Sequence, residues 1–225
     1  MKLSSHQSVF LPWSGFWHKA ATSDLMVINS GSDFSRQDCE HRVKINNSWL
    51  TLELDRQASG KKISDIVLQQ GTLTAAADRI ERELCIKKNR YRDRLEPILL
   101  LLRNSEGNSL EWVNSSLVLE VAATLHIATS FVFINEVPHG TSKTDKLYNR
   151  VGRFMRSDDT YISGAGAAAY IDHIKFPNAV EMQFIDASLA EPNSMIELIA
   201  KHKDPMDYIS SWFTYLKMDE CHVEE

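Results

Sequence analysis

The segment Ser163–Tyr170, with the sequence SGAGAAAY, is the strongest local signal for ligand chemistry in the chain. A strand that ends in glycines and opens a helix exposes backbone N–H groups at a positive helix terminus, where a phosphate or carboxylate binds well. Gly164 and Gly166 also lack side chains, which permits close approach of a ligand. The spacing departs from the dinucleotide fingerprint, because Ala169 stands in place of the last glycine and no phosphate-loop lysine follows. A glycine turn packed tightly on a sheet is therefore an equally good interpretation.

A second set of reactive side chains brackets the aromatic segment HQSVFLPWSGFWHK, which runs from His6 to Lys19. Histidine is the usual general acid or base near neutral pH, so His6 could take a proton from an attacking group. Lys19 or Arg42 could then hold an anionic part of a substrate. Trp13 and Phe16 could stack on a sugar or base, since aromatic side chains serve both core and platform. A hydrogen-bonded structural histidine is the alternative interpretation of His6.

Several common catalytic signatures are missing from the sequence. It contains no G-x-S-x-G nucleophile elbow and no H-E-x-x-H metal motif. Cys39, Cys85 and Cys221 are odd in number and include no C-x-x-C pair, so we expect neither a structural zinc site nor a disulfide framework. Asp38 and Glu40 flank Cys39 and should raise its thiol pKa, which disfavours it as a nucleophile. We predict no metal site, and no cofactor is assigned.

The N-terminal part of the chain predicts a βαβ unit that would position these groups. Ser8–Leu11 predicts the end of a short strand that Pro12 stops, because proline cannot donate to a ladder. Ser14 is expected to cap the helix that follows, and the apolar run Leu25–Asn29 predicts a buried strand. This succession indicates parallel pairing. Ligands gather at the carboxyl ends of parallel strands, so His6 is expected at a ligand site.

The rest of the chain continues the alternation of strands and helices. Arg42–Ile45 and Trp49–Leu54 predict a hairpin around an asparagine turn, and Ile63–Leu68 predicts another strand. Further along, the pattern predicts helices over 74–103, 111–126, 143–155, 194–202 and 206–216, and strands over 130–137, 160–162 and 181–185. We therefore predict one α/β domain over residues 1–225. It would hold a mostly parallel Rossmann-like sheet, flanking helices with a helical layer at about 74–126, and an inserted β-hairpin.

Composition and charge narrow the class of protein. The chain has 225 residues, of which 43% are hydrophobic and 24% charged, which is typical of a globular protein with one substantial core. A net charge of -5 argues against a nucleic-acid-binding protein, and we interpret the mixed charges of Arg79–Arg94 as a solvated helix face. We expect no signal peptide, because polar residues interrupt the segment before Val9, and no apolar segment approaches the roughly 20 residues that span a bilayer. A cytoplasmic protein without a membrane span is expected.

The chain resembles the WbqC-like protein family in its motifs and in their order. The opening of that family carries a His-Gln pair, Pro-Trp or Pro-Tyr, a glycine-aromatic step, a lysine and an aspartate before a strand. The matching positions here are His6, Gln7, Pro12, Trp13, Gly15, Phe16, Lys19 and Asp24. The family's central arginine, W-L-T segment and tyrosine-serine-glycine turn resemble Arg42, Trp49–Thr51, Tyr161, Ser163, Gly164, Gly166 and Tyr170. Its closing segment is similar to NSMIELIAKHKDPMDYI, which starts at Asn193. A departure is Glu40-His41, where the family commonly has Gln-Asn.

The resemblance implies a role in bacterial surface-polysaccharide (O-antigen) gene clusters, with which WbqC-like proteins are associated. Our hypothesis is an acyl- or aminoacyl-transferase that acts on a nucleotide-linked amino sugar. Its partners would be a nucleotide sugar or acyl donor, or an acyl-carrier-type protein. The catalytic residues would be His6, Lys19 and Arg42, and the substrate-binding residues Gln7, Trp13, Phe16, Asp24, Tyr161, Ser163, Gly164, Gly166 and Tyr170. A nucleotide-dependent activating enzyme and a non-catalytic scaffold of the same pathway are the alternatives.

Overall fold

The structure is a computed structural model that describes residues 1–55, 58–137, 139–172, 181–187 and 194–217. Cys221 and the first residue of the closing motif, Asn193, lie outside the described residues. In chain order the elements are β1 Lys2–Gln7, α1 Ser14–Ala21, β2 Leu25–Asn29, β3 Arg42–Ile45, β4 Ser48–Thr51, α2 Thr72–Glu83, α3 Arg92–Asn104, α4 Leu110–Thr124, β5 Ser130–Ile134, α5 Lys143–Val151, β6 Thr160–Gly164, β7 Glu181–Asp186, α6 Met195–Lys201, α7 Pro205–Ser210 and β8 Thr214–Lys217.

Six of the strands form one mixed sheet in the order β5-β2-β1-β6-β7-β8. All neighbouring pairs are parallel except β7 and β8, which are antiparallel. Chain connections from β1 proceed through β2 to β5 on one side, and β6 and β7 lie on the other side. The strand order therefore reverses between β1 and β6, which is the place where open α/β sheets bind ligands. The predicted α/β class and mostly parallel sheet are confirmed.

Apolar side chains cover the sheet on both faces. The strand β2, LMVIN, is buried from Met26 to Asn29, as expected for a parallel strand with helices on both sides. The larger buried cluster includes Phe10, Phe16 and Trp17 and continues into α2, α3, α4 and α6. A smaller cluster packs the face under α5, with Leu3, Leu147, Val151, Tyr161 and Phe184. Both clusters therefore hold the strands of the sheet in place.

The predicted β-hairpin is present as a separate two-stranded sheet. Ile45 pairs with Ser48, so the loop consists of Asn46 and Asn47. Both have positive φ, 47° and 62°, which a two-residue type I′ turn requires and asparagine tolerates. The carboxylate of Glu197 on α6 accepts the Asn46 backbone N–H at 3.0 Å and thereby joins the hairpin to the C-terminal helices.

Four element predictions are corrected. The first strand ends at Gln7 and does not include Ser8–Leu11, because Leu11 adopts a φ of 44° that no strand accommodates. Ile63–Leu68 forms a 3-10 turn and isolated bridges instead of a strand. The helix predicted over 74–103 is two helices, which Cys85 separates with a φ of 50°. The helix predicted over 206–216 stops at Ser210, and the chain then pairs with β7 as β8.

The helix starts follow local capping chemistry in some places and packing in others. The Ser142 hydroxyl and the Asp145 carboxylate form a capping box at the start of α5. By contrast, the Ser14 side chain makes no capping hydrogen bond, and Trp13 occupies the cap position of α1. Within the ranges given above, none of the helices is both long and apolar enough to cross a membrane.

Candidate functional site

A cavity of about 390 Å³ opens where the sheet order reverses, at the carboxyl ends of β1 and β6. This volume lies within the range of small-molecule sites, about 300–1,000 Å³. The lining residues come from the ends of β1, β6 and β7, the start of α1 and the buried face of α5. They are Ser5, His6, Gln7, Trp13, Gly15, Phe16, Lys19, Leu147, Arg150, Tyr161, Ser163, Gly164, Gly166, Ala167, Tyr170, Ile185 and Ala187. We call this space the switch-point cavity.

His6 is held as a neutral imidazole. Its Nδ1 lies 2.9 Å from the carbonyl oxygen of Gln7. Because a carbonyl oxygen only accepts, Nδ1 carries the ring proton and Nε2 is the proton acceptor of the ring. The ring contacts Phe16 edge-on, with centroids 5.2 Å apart. Burial, followed by the positive charge of Lys19, lowers the pKa of His6 to about 3, so the ring stays uncharged at neutral pH.

Lys19 contributes a buried ammonium group from the second turn of α1. Only 8% of the residue is exposed, and its Nζ donates a hydrogen bond to the carbonyl oxygen of Ser5 at 2.8 Å. Burial, with a smaller contribution from Arg150, lowers the pKa of Lys19 to about 8. The ammonium is still mainly protonated at pH 7, and a buried cation of this kind is unusual without a functional or structural reason.

Arg150 is a second cation in the cavity, and sequence reasoning missed it. Its Nε is buried and has no hydrogen-bond partner, and burial lowers the pKa of its guanidinium. The missed signal lies in the spacing of α5. Leu147, Arg150 and Val151 share one helix face, and both apolar members are buried. An arginine on the buried face of an amphipathic helix is itself an indication of a site.

The charges of the switch-point cavity are unbalanced. Lys19 and Arg150 both line it, and none of its described lining residues is Asp or Glu. A cavity with one sign of charge and low-dielectric walls concentrates ligands of the opposite charge. The cavity is therefore suited to a phosphate or carboxylate group.

A buried hydrogen bond joins the two strands beneath the cations. The hydroxyl groups of Ser5 on β1 and Tyr161 on β6 are 2.8 Å apart. Burial raises the pKa of Tyr161 to about 12, so its hydroxyl remains protonated and can donate. Ser5 thus contacts Tyr161 through its side chain and Lys19 through its backbone, which fixes the floor of the cavity.

The glycine segment differs from its predicted form. β6 continues to Gly164 and a single 3-10 turn, Ala165–Ala167, follows instead of an α-helix. The predicted α-helix terminus is therefore absent from this segment, and anion binding there stays a prediction. A Cβ atom built on Gly164 or Gly166 would meet no heavy atom within 4 Å. Gly164 has a φ of -78°, which any residue can adopt, so the backbone does not require glycine here. The missing side chain instead leaves open space beside the chain.

The aromatic and amide groups of the predicted site also reach the cavity. Trp13 is 37% exposed, and its ring lies over Gly15, where a Cβ atom would come within 2.2 Å of the indole. Gln7 donates from Nε2 to the Glu40 carboxylate at 2.8 Å. Burial raises the pKa of Glu40 to about 7. Tyr170 lies at the outer part of the lining with its ring 5.0 Å from the Lys143 ammonium.

Arg42 and Asp24 are not brought to the switch-point cavity, whereas the other ten predicted site residues line it. The Arg42 guanidinium lies 4.4 Å from the ring centroid of Trp49, and its Nε donates to the carbonyl oxygen of Asp38. Asp24 precedes β2 at the amino end of the sheet, where its carboxylate accepts the Lys2 backbone N–H at 2.7 Å. These two residues therefore do not share the ligand environment of His6.

The cysteines and possible metal ligands are dispersed. Cys39 and Cys85 are free and exposed. Burial, together with Glu40 and Asp38, raises the pKa of Cys39 against the opposite effect of Arg42. Within the parts of the chain that the structure describes, no group of three or more His, Cys, Asp or Glu side chains is placed to hold a metal ion.

Comparison with known proteins agrees with this arrangement of motifs. The chain is 25% identical over 186 residues to the uncharacterized protein Rv1507c of Mycobacterium tuberculosis. The aligned region covers 78% of this chain and 77% of that protein. No solved structure matches the chain. Residues 7–192 match the model of the WbqC-like protein family, a span that includes all of the cavity lining except Ser5 and His6. The chain therefore belongs to the WbqC-like protein family.

Proposed function

We propose that this protein is an acyl- or aminoacyl-transferase of bacterial surface-polysaccharide biosynthesis, with a nucleotide-linked amino sugar as its acceptor. The observation that carries the proposal is the pair of buried cations, Lys19 and Arg150, in a cavity without a lining carboxylate and beside the neutral imidazole of His6. The association of WbqC-like proteins with surface-polysaccharide gene clusters supports this choice of acceptor. The switch-point cavity favours a small ligand over a scaffold role.

The two cations would bind the phosphate groups of the nucleotide sugar. At an effective dielectric constant of about 20, a unit charge 4 Å from another contributes about 4 kcal/mol. Arginine adds directed N–H donors, which suit phosphate geometry, and lysine adds a compact charge. The anion would replace the carboxylate that the cavity lacks, so the desolvation of the cations would be offset only in the complex.

His6 would act as the general base. Its Nδ1 proton is committed to Gln7, and Nε2 is left to accept a proton from the amine or hydroxyl of the acceptor. As that group attacks the carbonyl carbon of the donor, a C–N or C–O bond forms and the bond to the leaving group breaks. The proton then passes from His6 to the leaving group, so that charge and atoms balance.

Anion binding and the basicity of His6 should be coupled. Burial is the largest cause of the His6 pKa of about 3, and the uncompensated positive charges of Lys19 and Arg150 lower it further. A bound phosphate would cancel part of this effect and raise the pKa of His6 towards the range in which a base is effective. The acceptor would therefore activate the group that deprotonates it.

A titration of the purified protein tests the proposal. Nucleotide-linked amino sugars, ATP, acyl-coenzyme A and free amino acids would be compared by thermal shift and calorimetry. A ligand at a hundredfold its dissociation constant adds about 2.7 kcal/mol to the free energy of unfolding. We expect a nucleotide sugar to bind, and Lys19→Met and Arg150→Met to weaken that binding at least tenfold. Arg153→Met is the matched control, because Arg153 pairs with Glu136 outside the cavity.

The catalytic assignment requires a second measurement. His6→Gln should retain nucleotide-sugar binding and lose transfer of the acyl or aminoacyl group, which mass spectrometry of the sugar would detect. Binding of ATP with release of pyrophosphate, and no transfer to a sugar, would favour the activating enzyme instead. Unchanged binding in both cation variants would refute the proposed anion site.

A further inference from the structure

A second cavity, of about 210 Å³, is lined by the segment that joins β1 to α1. Its walls are mainly apolar and include Val9, Phe10, Pro12, Trp13, Val43 and Trp49. We call it the apolar slot. Its volume exceeds the roughly 150 Å³ of an apolar cavity that holds benzene. The slot is thus large enough for a small apolar group.

Trp13 connects the slot to the switch-point cavity, because it lines both. Its ring rests on Gly15, and the absence of a side chain there is what permits this position. A ligand group in the slot and a ligand group near His6 would meet at this indole. Two substrates that react with each other require such a shared boundary.

The wall of the slot is held in a conformation that the sequence alone disfavours. Leu11 is buried and has a φ of 44°, although it is a large residue that precedes a proline. Hydrogen bonds fix its neighbours, since the Phe10 N–H donates to the carbonyl oxygen of Cys39 at 2.9 Å and the Met195 N–H donates to that of Pro12 at 3.3 Å. Strained backbone that the surroundings maintain is typical of ligand sites.

The charged residues of the slot are both cations. Arg42 and Lys44 lie 4.4 Å and 5.2 Å from the ring centroid of Trp49, and no described residue that lines the slot is acidic. The slot therefore suits the apolar group of a ligand that also carries an anionic group. An acyl thioester on a phosphate-bearing pantetheine carrier has both.

We infer that the apolar slot binds the acyl chain of such a donor, with the thioester carbon near Trp13 and with Arg42 and Lys44 attracting the anionic carrier. The inference rests on the proposed transferase function and names its donor. In the transfer, the C–S bond of the thioester breaks, the new C–N or C–O bond forms, and the acceptor's proton passes through His6 to the thiolate. The acyl chain and the nucleotide sugar would thus occupy separate cavities.

Cys39 provides a reporter that does not depend on activity. Cys39 is an exposed residue that lines the slot, whereas Cys85 is exposed elsewhere. The full chain would be alkylated with iodoacetamide at pH 8.5, and peptide mass spectrometry would give the rate at each cysteine. At ten times its dissociation constant, a ligand that covers Cys39 slows its alkylation about elevenfold. We expect hexanoyl-coenzyme A to protect Cys39 more than acetyl-coenzyme A, with Cys85 unaffected.

A neutral probe separates the slot from the anion site. 1-Hexanol should protect Cys39 more than ethanol at equal concentration, and it should do so equally in the wild type and in Lys19→Met. This result would stand even if no nucleotide sugar bound, so failure of the proposed acceptor would be recognised separately. Val43→Phe, checked for folding by circular dichroism, should abolish the protection.

Three results would overturn the inference. Equal protection by ethanol and 1-hexanol would show that no chain is bound, and equal slowing at Cys85 would show a general effect on alkylation. Stronger protection by benzyl alcohol than by 1-hexanol would replace the acyl chain with an aromatic ring. The chain-length comparison uses the wild-type protein, so it decides the matter even if Val43→Phe does not fold.

Discussion

Replacement of Lys19 by methionine should change how the stability of the protein depends on pH. Lys19 is buried, and its pKa is lowered from 10.5 to about 8 in the folded state. The unfolded chain therefore binds a proton between pH 8 and 10.5 that the folded chain does not bind. Stability rises with pH wherever the unfolded state binds more protons, so the wild type should become more stable above neutral pH.

The size of this effect follows from the two pKa values. Relative to a neutral amine, the buried ammonium costs about 3 kcal/mol of folding free energy at pH 7 and about 1 kcal/mol at pH 9.5. The wild type should therefore gain about 2 kcal/mol between these pH values through Lys19. Methionine preserves the length of the side chain but loses the hydrogen bond to Ser5, which costs about 1–3 kcal/mol at either pH. Only the difference between the two pH values isolates the charge.

Urea unfolding of both proteins at pH 7.0 and 9.5 measures this difference. The gain between the two pH values should be about 2 kcal/mol smaller in Lys19→Met than in the wild type. Lys146→Met is the control, because Lys146 is an exposed residue of α5 and its replacement should leave the gain unchanged. Equal gains in the wild type and in Lys19→Met would refute the conclusion that this ammonium is buried without a compensating charge.

The remaining predictions concern a histidine and two glycines. Burial lowers the pKa of His18 to about 4, so the unfolded state binds protons first as the pH falls from 6.5. Between neutral pH and pH 5 the wild type should therefore lose about 2 kcal/mol of unfolding free energy through His18. This loss should be absent from His18→Gln in urea unfolding. Gly166→Val should fill open space and abolish nucleotide-sugar binding in calorimetry, while unfolding changes by less than about 0.5 kcal/mol. Gly31→Ala should destabilise the protein by about 1–3 kcal/mol, because the added Cβ would lie 2.1 Å from the Glu136 carbonyl oxygen. An unchanged melting temperature would contradict this packing.

Much of the sheet could be predicted because its strands carry their own signals. The apolar run of β2 and the asparagine pair before β4 are local features, and both produced the expected elements. β8 could not be recognised in this way. Its residues continue a helical pattern, and only the unpaired edge of β7 makes a strand favourable there.

The sequence could predict those parts of the candidate site that lie at the ends of strands. His6, Ser163 and Gly164 lie at the carboxyl ends of parallel neighbours, and such ends meet in space. Asp24 precedes its strand, so the same rule places it at the opposite edge. Arg150 was missed because its position depends on how α5 packs on the sheet, and the place of Arg42 depends on how the hairpin packs against the segment before α1.

The hydrogen bond between Ser5 and Tyr161 also bears on how the protein assembles. These residues are 156 positions apart in the chain, whereas Ser4 and Ser23, which join β1 to the end of α1, are 19 apart. The entropy of loop closure makes the longer contact about 2 kcal/mol more costly to form from an open chain. Contacts among β1, α1 and β2 are therefore favoured early in folding, and the contacts between β1 and β6 form late. Because the switch-point cavity lies between those two strands, the ability to bind a ligand would be acquired only in the last steps of folding.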